Sequence, residues 1–134
     1  MAIRYLLDTN ICIYIAKYKP PAVRARFEQL SSDAIAMSVI TLGELRHGAE
    51  KSQMRDKSLA TLEQLERLIQ VAPLTDEVGH HYGHIRSRLE RAGTPIGNND
   101  LWIAAHARAQ AWVLVTHNER EFCRVDGLAV ENWV

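Results

Sequence analysis

No apolar stretch in this chain approaches the ~18–20 residues that a membrane-spanning helix requires. Met1-Ala2-Ile3-Arg4 runs straight toward a strand pattern, without the features of a signal peptide. A cytoplasmic protein with no membrane partner is the expectation. Cysteine is scarce: Cys12 and Cys123 stand far apart, with neither a C-x-x-C nor a paired metal-ligand spacing, which argues for reduced, mostly buried thiols and against a nucleophile. Net charge is missing too, since 16 basic residues face 16 acidic ones. Overall attraction to a polyanion is therefore weak, and any nucleic acid must be met by a local patch. Internal repeats, low-complexity tracts and linker-like segments are all lacking. The 134 residues are expected to form one domain, 1–134, without space for a separate regulatory one.

What is present is an ordinary globular composition, 47% hydrophobic and 24% charged, far from the signature of disorder. Ile3 to Leu7 reads as a strand, Asn10 to Lys17 as a short helix and Ala22 to Leu30 as a second helix. Ile35 to Ser38 reads as a buried strand. Thr41 followed by Glu44 has the spacing of a capping box, which predicts a helix from Thr41 to about Glu50. Helical spacing continues over Met54 to Ile69, Asp76 to Arg91 and Asn99 to Ala111, the last giving way to the strongest strand signal, Trp112 to Val115. A turn or helix at Glu119 to Phe122 precedes an extended stretch from Leu128 to Val134. Short strands alternating with helices predict an α/β fold, a central mainly parallel sheet flanked by helices on both faces.

Within that pattern, acids recur at element boundaries. Asp8 ends the apolar run Tyr5-Leu6-Leu7, where open α/β sheets place their chemistry. Glu44 lies in Thr41-Leu42-Gly43-Glu44-Leu45, Asp100 in Gly97-Asn98-Asn99-Asp100, and Glu121 in Thr116-His117-Asn118-Glu119-Arg120-Glu121. Mg²⁺ and Mn²⁺ take hard oxygen ligands and keep several waters, so a few carboxylates with room for a phosphate suit them. Taken singly, each acid is more simply a cap or a first-turn acid. Their recurrence after strands favours a shared metal. His80 and His84 have the i, i+4 spacing of a helical metal pair, but no third ligand completes a zinc pattern. Trp102 and Trp112 suit a core or a dimer interface.

Four ordered blocks, Tyr5 to Asn10, Ser38 to Leu45, Gly93 to Asp100, and Leu114 to Asn118 with Arg120-Glu121-Phe122, span nearly the whole chain. Through them the sequence resembles the PIN-domain ribonucleases, and among those the VapC toxins of bacterial toxin–antitoxin pairs. The resemblance implies that Asp8, Glu44 and Asp100 hold Mg²⁺ or Mn²⁺. Many PIN domains carry Asp where this chain has Asn118, so Asn118 and the nearby Glu121 are both candidates for the fourth position, Glu121 being the one that carries charge. Thr9, Thr116 and His117 are candidate accessory residues. Lys17, Lys19, Arg46, Lys51, Arg86 and Arg120 are candidates for the patch that grips RNA, Arg46 and Arg86 foremost.

The implied activity is metal-assisted phosphodiester hydrolysis that leaves a 5′-phosphate and a 3′-hydroxyl. The blocks around Asp100 and Thr116 look most like members that cut initiator tRNA in the anticodon loop, which inhibits translation. Cleavage of ribosomal RNA, or an inactive PIN-fold scaffold, are the alternatives. Implied partners are a VapB-type antitoxin, a second toxin copy, toxin–antitoxin hetero-oligomers, and operator DNA reached only through the antitoxin.

Overall fold

In the computed structural model, which describes residues 2–134, five short strands make one sheet in the order β3-β2-β1-β4-β5, with every neighbouring pair parallel. They are β1 (Tyr5–Leu7), β2 (Ile35–Ser38), β3 (Gln70–Ala72), β4 (Val113–Val115) and β5 (Val130–Glu131). Parallel neighbours need long crossovers, and helices supply them. α1 (Thr9–Lys17) and α2 (Pro21–Glu28) connect β1 to β2, and α3 (Val39–Glu50) and α4 (Arg55–Leu68) connect β2 to β3. α5 (Asp76–Arg91) and α6 (Asn98–Gln110) lead to β4, and α7 (Glu119–Phe122) leads to β5. The expected α/β class holds, with a sheet that is wholly parallel.

Side chains alternate along a strand, and here the alternation divides the core in two. Leu6, Ala36 and Leu114 face Ile85 of α5, Ile103 of α6 and Phe122 of α7. Tyr5, Leu7, Ile35, Met37 and Val115 face the other way, toward Ile11 and Ile15 of α1, Phe27 of α2 and Leu65 of α4. Being covered on both sides, β1 and β2 are buried at every position, which is why their sequences read as unbroken apolar runs. The register pairs Leu7 with Val115, so the residues that follow, Asp8 and Thr116, emerge side by side at the C-terminal edge of the sheet.

Several boundaries differ from those expected. β1 begins at Tyr5, β4 begins at Val113, and the stretch from Leu128 to Val134 contributes only Val130–Glu131 as strand. Cys12 is fully buried, whereas Cys123 is exposed, against the expectation of mostly buried thiols. The capping box at Thr41 is also overturned. α3 starts at Val39, and Ser38 caps it, its Oγ accepting the Ile40 N–H at 3.1 Å. Thr41 is thus inside the helix, fully buried, and Glu44 stands in the second turn instead of the first.

The physical reason lies in the extended backbone of Ser38 at the end of β2, which lets its hydroxyl reach forward over the first turn. The same hydroxyl lies 2.9 Å from Nδ1 of His106, a buried histidine of α6, so one side chain ends a strand, caps a helix and ties two helices together. Ser38→Ala is expected to cost about 1–2 kcal/mol. A lower denaturant midpoint with an unchanged m value would register it.

Candidate active site

Asp8 is 5% exposed, and both of its oxygens are engaged: Oδ1 accepts the Thr9 N–H at 2.8 Å, and Oδ2 accepts the Thr116 hydroxyl at 2.8 Å. Asp8 itself therefore caps α1, which leaves the Thr9 hydroxyl free for another task. That hydroxyl donates to Oε1 of Glu44 at 2.6 Å, with Oγ1 of Thr41 3.4 Å from it. On the other side of Asp8, Thr116 Oγ1 also accepts the Asn118 N–H at 3.0 Å, and the Asn118 amide donates to Oε2 of Glu121. Oε1 of Glu121 accepts a long, 3.5 Å contact from the Gly97 N–H, three residues before Asp100 in the first turn of α6.

These contacts gather Asp8, Glu44, Asp100 and Glu121 within one another's field. Burial pushes the Asp100 carboxyl up to about 7, with the charges of Asp8, Glu121 and Glu44 adding to the rise. Burial also raises Asp8, only partly offset by its hydrogen bonds from Thr116 and Thr9, and Glu44 and Glu121 push the same way. None of the ion pairs among the described residues involves any of the four acids. A group of carboxylates of which one is buried and three are half-buried, without a basic partner, is costly unless protons or a cation neutralise it.

Among the described residues, no three His, Cys, Asp or Glu side chains already stand together as a ready metal cage. The donor chemistry nevertheless fits a hard divalent cation: all four groups are carboxylates, three of them, Asp8, Glu44 and Glu121, accept from neutral hydroxyl or N–H donors, and none has a basic partner. Thr116 acts here by aiming Asp8. Thr116→Val is expected to lower any activity that runs through Asp8 about 10- to 100-fold, as loss of a group that orients a functional carboxylate does. Steady-state kinetics, with circular dichroism to confirm the fold, would measure it.

The remaining candidates lie around this centre. His117 is exposed, and its ring meets Tyr14 edge-on at 6.1 Å. Arg46 pairs with Glu50 at 2.7 Å, and Arg86 with Glu90 at 3.1 Å, each one turn along its own helix. His84 Nδ1 lies 3.0 Å from a guanidinium nitrogen of Arg108, a cationic neighbour that a zinc ligand would avoid. Trp102 stacks on Tyr82, and Trp112 tilts against His106. Sequence reasoning missed Ser38 and His106, since a lone histidine inside an apolar helix carries no pattern. Thr41 was seen, but as a cap.

A groove of about 590 Å³ runs from this centre between α1, α3 and α4. Thr9 and Glu44 form its inner end, Ile13, Leu45 and Leu62 give it an apolar lining, and Lys17 and Lys57 add positive charge.

The sequence profile of the PIN domain matches residues 5–128. The chain is 45% identical over 131 residues to the tRNA(fMet)-specific endonuclease VapC of Shigella flexneri, covering 98% of both proteins. It is 40% identical over 132 residues to the ribonuclease VapC2 of Haemophilus influenzae, covering 98% of this chain and 99% of that protein. Its fold is similar to a chain of the DNA-bound VapBC complex of Salmonella typhimurium, with a TM-score of 0.93, 40% identity, and coverage of 98% of this chain and 99% of that one. The promoter-bound VapBC2 complex of Rickettsia felis gives a TM-score of 0.92 at 36% identity, with 98% of this chain and 100% of that one covered.

Proposed function

The chain belongs to the PIN domain family, and from that premise we propose that it is the toxin of a type II toxin–antitoxin pair, a Mg²⁺-dependent endoribonuclease, also served by Mn²⁺, that cuts initiator tRNA in its anticodon loop. The observation that carries the reading is the set of four carboxylates at the C-terminal edge of the sheet, with no basic partner and with Asp100 raised to about 7. Asp8, Glu44 and Asp100 are the residues that would hold the cation, with Glu121 as the fourth carboxylate and Asn118 orienting it. When bound, a divalent cation lowers the pKa of an attacking water and offsets the charge on the scissile phosphate and leaving oxygen.

The chain's own residues prepare that site. The Thr9 N–H and the Thr116 hydroxyl fix both oxygens of Asp8, and the Thr9 hydroxyl fixes Glu44, so these two groups have little freedom left to lose. Asp100 must shed its proton to take part, which ties the activity to pH. Arg46 is held only by the exposed Glu50, a surface pair worth little, so it can turn to a backbone phosphate. Arg86 is held through Nε by Glu90 and through Nη1 by Tyr82, and can offer its Nη2 to a phosphate from where it stands.

No helix among the described residues is long and apolar enough to cross a membrane. The groove between α1, α3 and α4 is the seat for the C-terminal segment of a VapB-type antitoxin, and operator DNA is reached through that antitoxin. Toxin–toxin pairing accompanies this assembly.

The test uses protein freed of its partner and given initiator tRNA or ribosomal RNA with Mg²⁺ or Mn²⁺. A cut in the tRNA anticodon loop that leaves a 5′-phosphate supports the proposal. Preferential cutting of ribosomal RNA contradicts the choice of target, and no cut in either RNA contradicts the enzyme.

A further inference from the structure

Just beyond the turn that carries Gly97, a pocket of about 310 Å³ opens between α5 and the start of α6, and the acid cluster makes no use of it. Its inner wall is apolar: Leu89, Ile96 and Leu101 are each at most 9% exposed. Its rim is polar, formed by Arg86, Glu90 and Asn98. An apolar interior edged by a few hydrogen-bonding groups is what an unstacked nucleobase requires, since its faces bury and its edge is read.

The rim is also pre-set. Arg86 Nη1 donates to the Tyr82 hydroxyl at 2.8 Å, so the hydroxyl's own proton goes to Asn98 Oδ1, 2.5 Å away. The Tyr82 ring is held by stacking on Trp102, with centroids 3.9 Å apart and planes 16° from parallel. This relay decides which way the Asn98 amide points, leaving both Nδ2 protons to donate. Arg86 Nε donates to Oε2 of Glu90 at 3.1 Å, which leaves Oε1 of Glu90 as an acceptor. Donors and an acceptor thus stand fixed around one cavity two residues from Asp100.

We propose that this pocket is a nucleobase subsite, which receives one unpaired base of the RNA strand near the cut and makes Asn98, Glu90 and Tyr82 specificity-determining residues. The proposal rests on the ribonuclease reading and deepens it. Tyr82 acts as a positioning residue through Asn98, without touching the base.

The test digests a pool of stem-loop RNAs with randomised loops, in Mg²⁺, with wild-type protein, Asn98→Ala and Tyr82→Phe, and sequences the products. Wild-type protein is expected to show a base preference at one loop position. Tyr82→Phe keeps the ring on Trp102 but removes the hydroxyl, and both variants are expected to weaken that one preference about tenfold, leaving the other positions unchanged. Profiles that superimpose on the wild type overturn the subsite, and so does a uniform loss of rate at every loop, which marks a structural defect only. Initiator tRNA is digested in parallel: wild-type protein that cuts neither the tRNA nor the pool in Mg²⁺ or Mn²⁺ overturns the ribonuclease reading and the subsite with it, whereas cutting of the tRNA alone overturns the subsite only.

Discussion

Asp100→Asn is expected to lower the rate of RNA cleavage by roughly a thousandfold or more, and in the same molecule to stabilise the metal-free protein at neutral and alkaline pH. The two effects share one cause. The substitution keeps the size of the side chain, so it opens no cavity, but it takes away a charge that the fold holds at a cost. In the folded protein the Asp100 carboxyl is raised from 3.8 to about 7, chiefly by burial and then by Asp8, Glu121 and Glu44. A raised acid contributes stability that is fully present below 3.8 and is lost as pH rises toward about 7, because across that window the folded state binds more protons than the unfolded one.

Above that window the wild type bears the whole penalty and Asn at position 100 bears none. Half-burial and solvent screening reduce the gain, which is expected to be about 1 kcal/mol, or a few degrees in melting temperature. Calorimetry with EDTA at pH 8 would show it, and the gap should close as pH falls toward 4. Added Mg²⁺ or Mn²⁺ should raise the melting temperature of the wild type and not of the variant. Asp8→Ala should likewise abolish cleavage and growth inhibition while the fold survives, since its small side chain leaves little void.

Cleavage by the wild-type protein should fall about tenfold for each pH unit below 7 when the cation is subsaturating, and level off above 7. The cation competes with a proton for Asp100, so saturating cation should move the midpoint to lower pH. A profile flat between pH 5.5 and 8 at low cation would mean that Asp100 does not titrate with activity. Rates on one tRNA substrate, across pH and at two cation concentrations, make the comparison.

Much of the architecture can be read from local signals. The bounds of Ile35–Ser38, Asp76–Arg91 and Glu119–Phe122 fall where periodicity and turn residues put them. The parallel class follows from apolar runs too short for anything but doubly covered strands. β3 was missed as a strand because Gln70–Ala72 is a three-residue edge with one exposed residue, which offers no alternation to detect. Thr41 misled because its capping signal is local, whereas the choice of Ser38 depends on β2 ending there and on His106 arriving 68 residues later.

The same distinction applies to the site. Acids recurring at element boundaries, together with the family resemblance, single out Asp8, Glu44, Asp100 and Glu121 as candidates, although only Asp8 directly follows a strand. Which neutral groups aim them could not be inferred, since the Thr9 to Glu44 bond spans 35 residues and the Thr116 to Asp8 bond spans 108. The groove between α1, α3 and α4 and the pocket at Asn98 arise from helix packing, for which a single sequence has no local signal.

The most direct test of the four-acid site is to map new 5′ ends by sequencing after total bacterial RNA is incubated with partner-free protein and Mg²⁺ or Mn²⁺, alongside EDTA and Asp8→Ala controls. One dominant cut in a tRNA anticodon loop, lost with EDTA and lost with Asp8→Ala, is the predicted result. Cutting that persists in EDTA or in Asp8→Ala, or no new 5′ end at all, would contradict it.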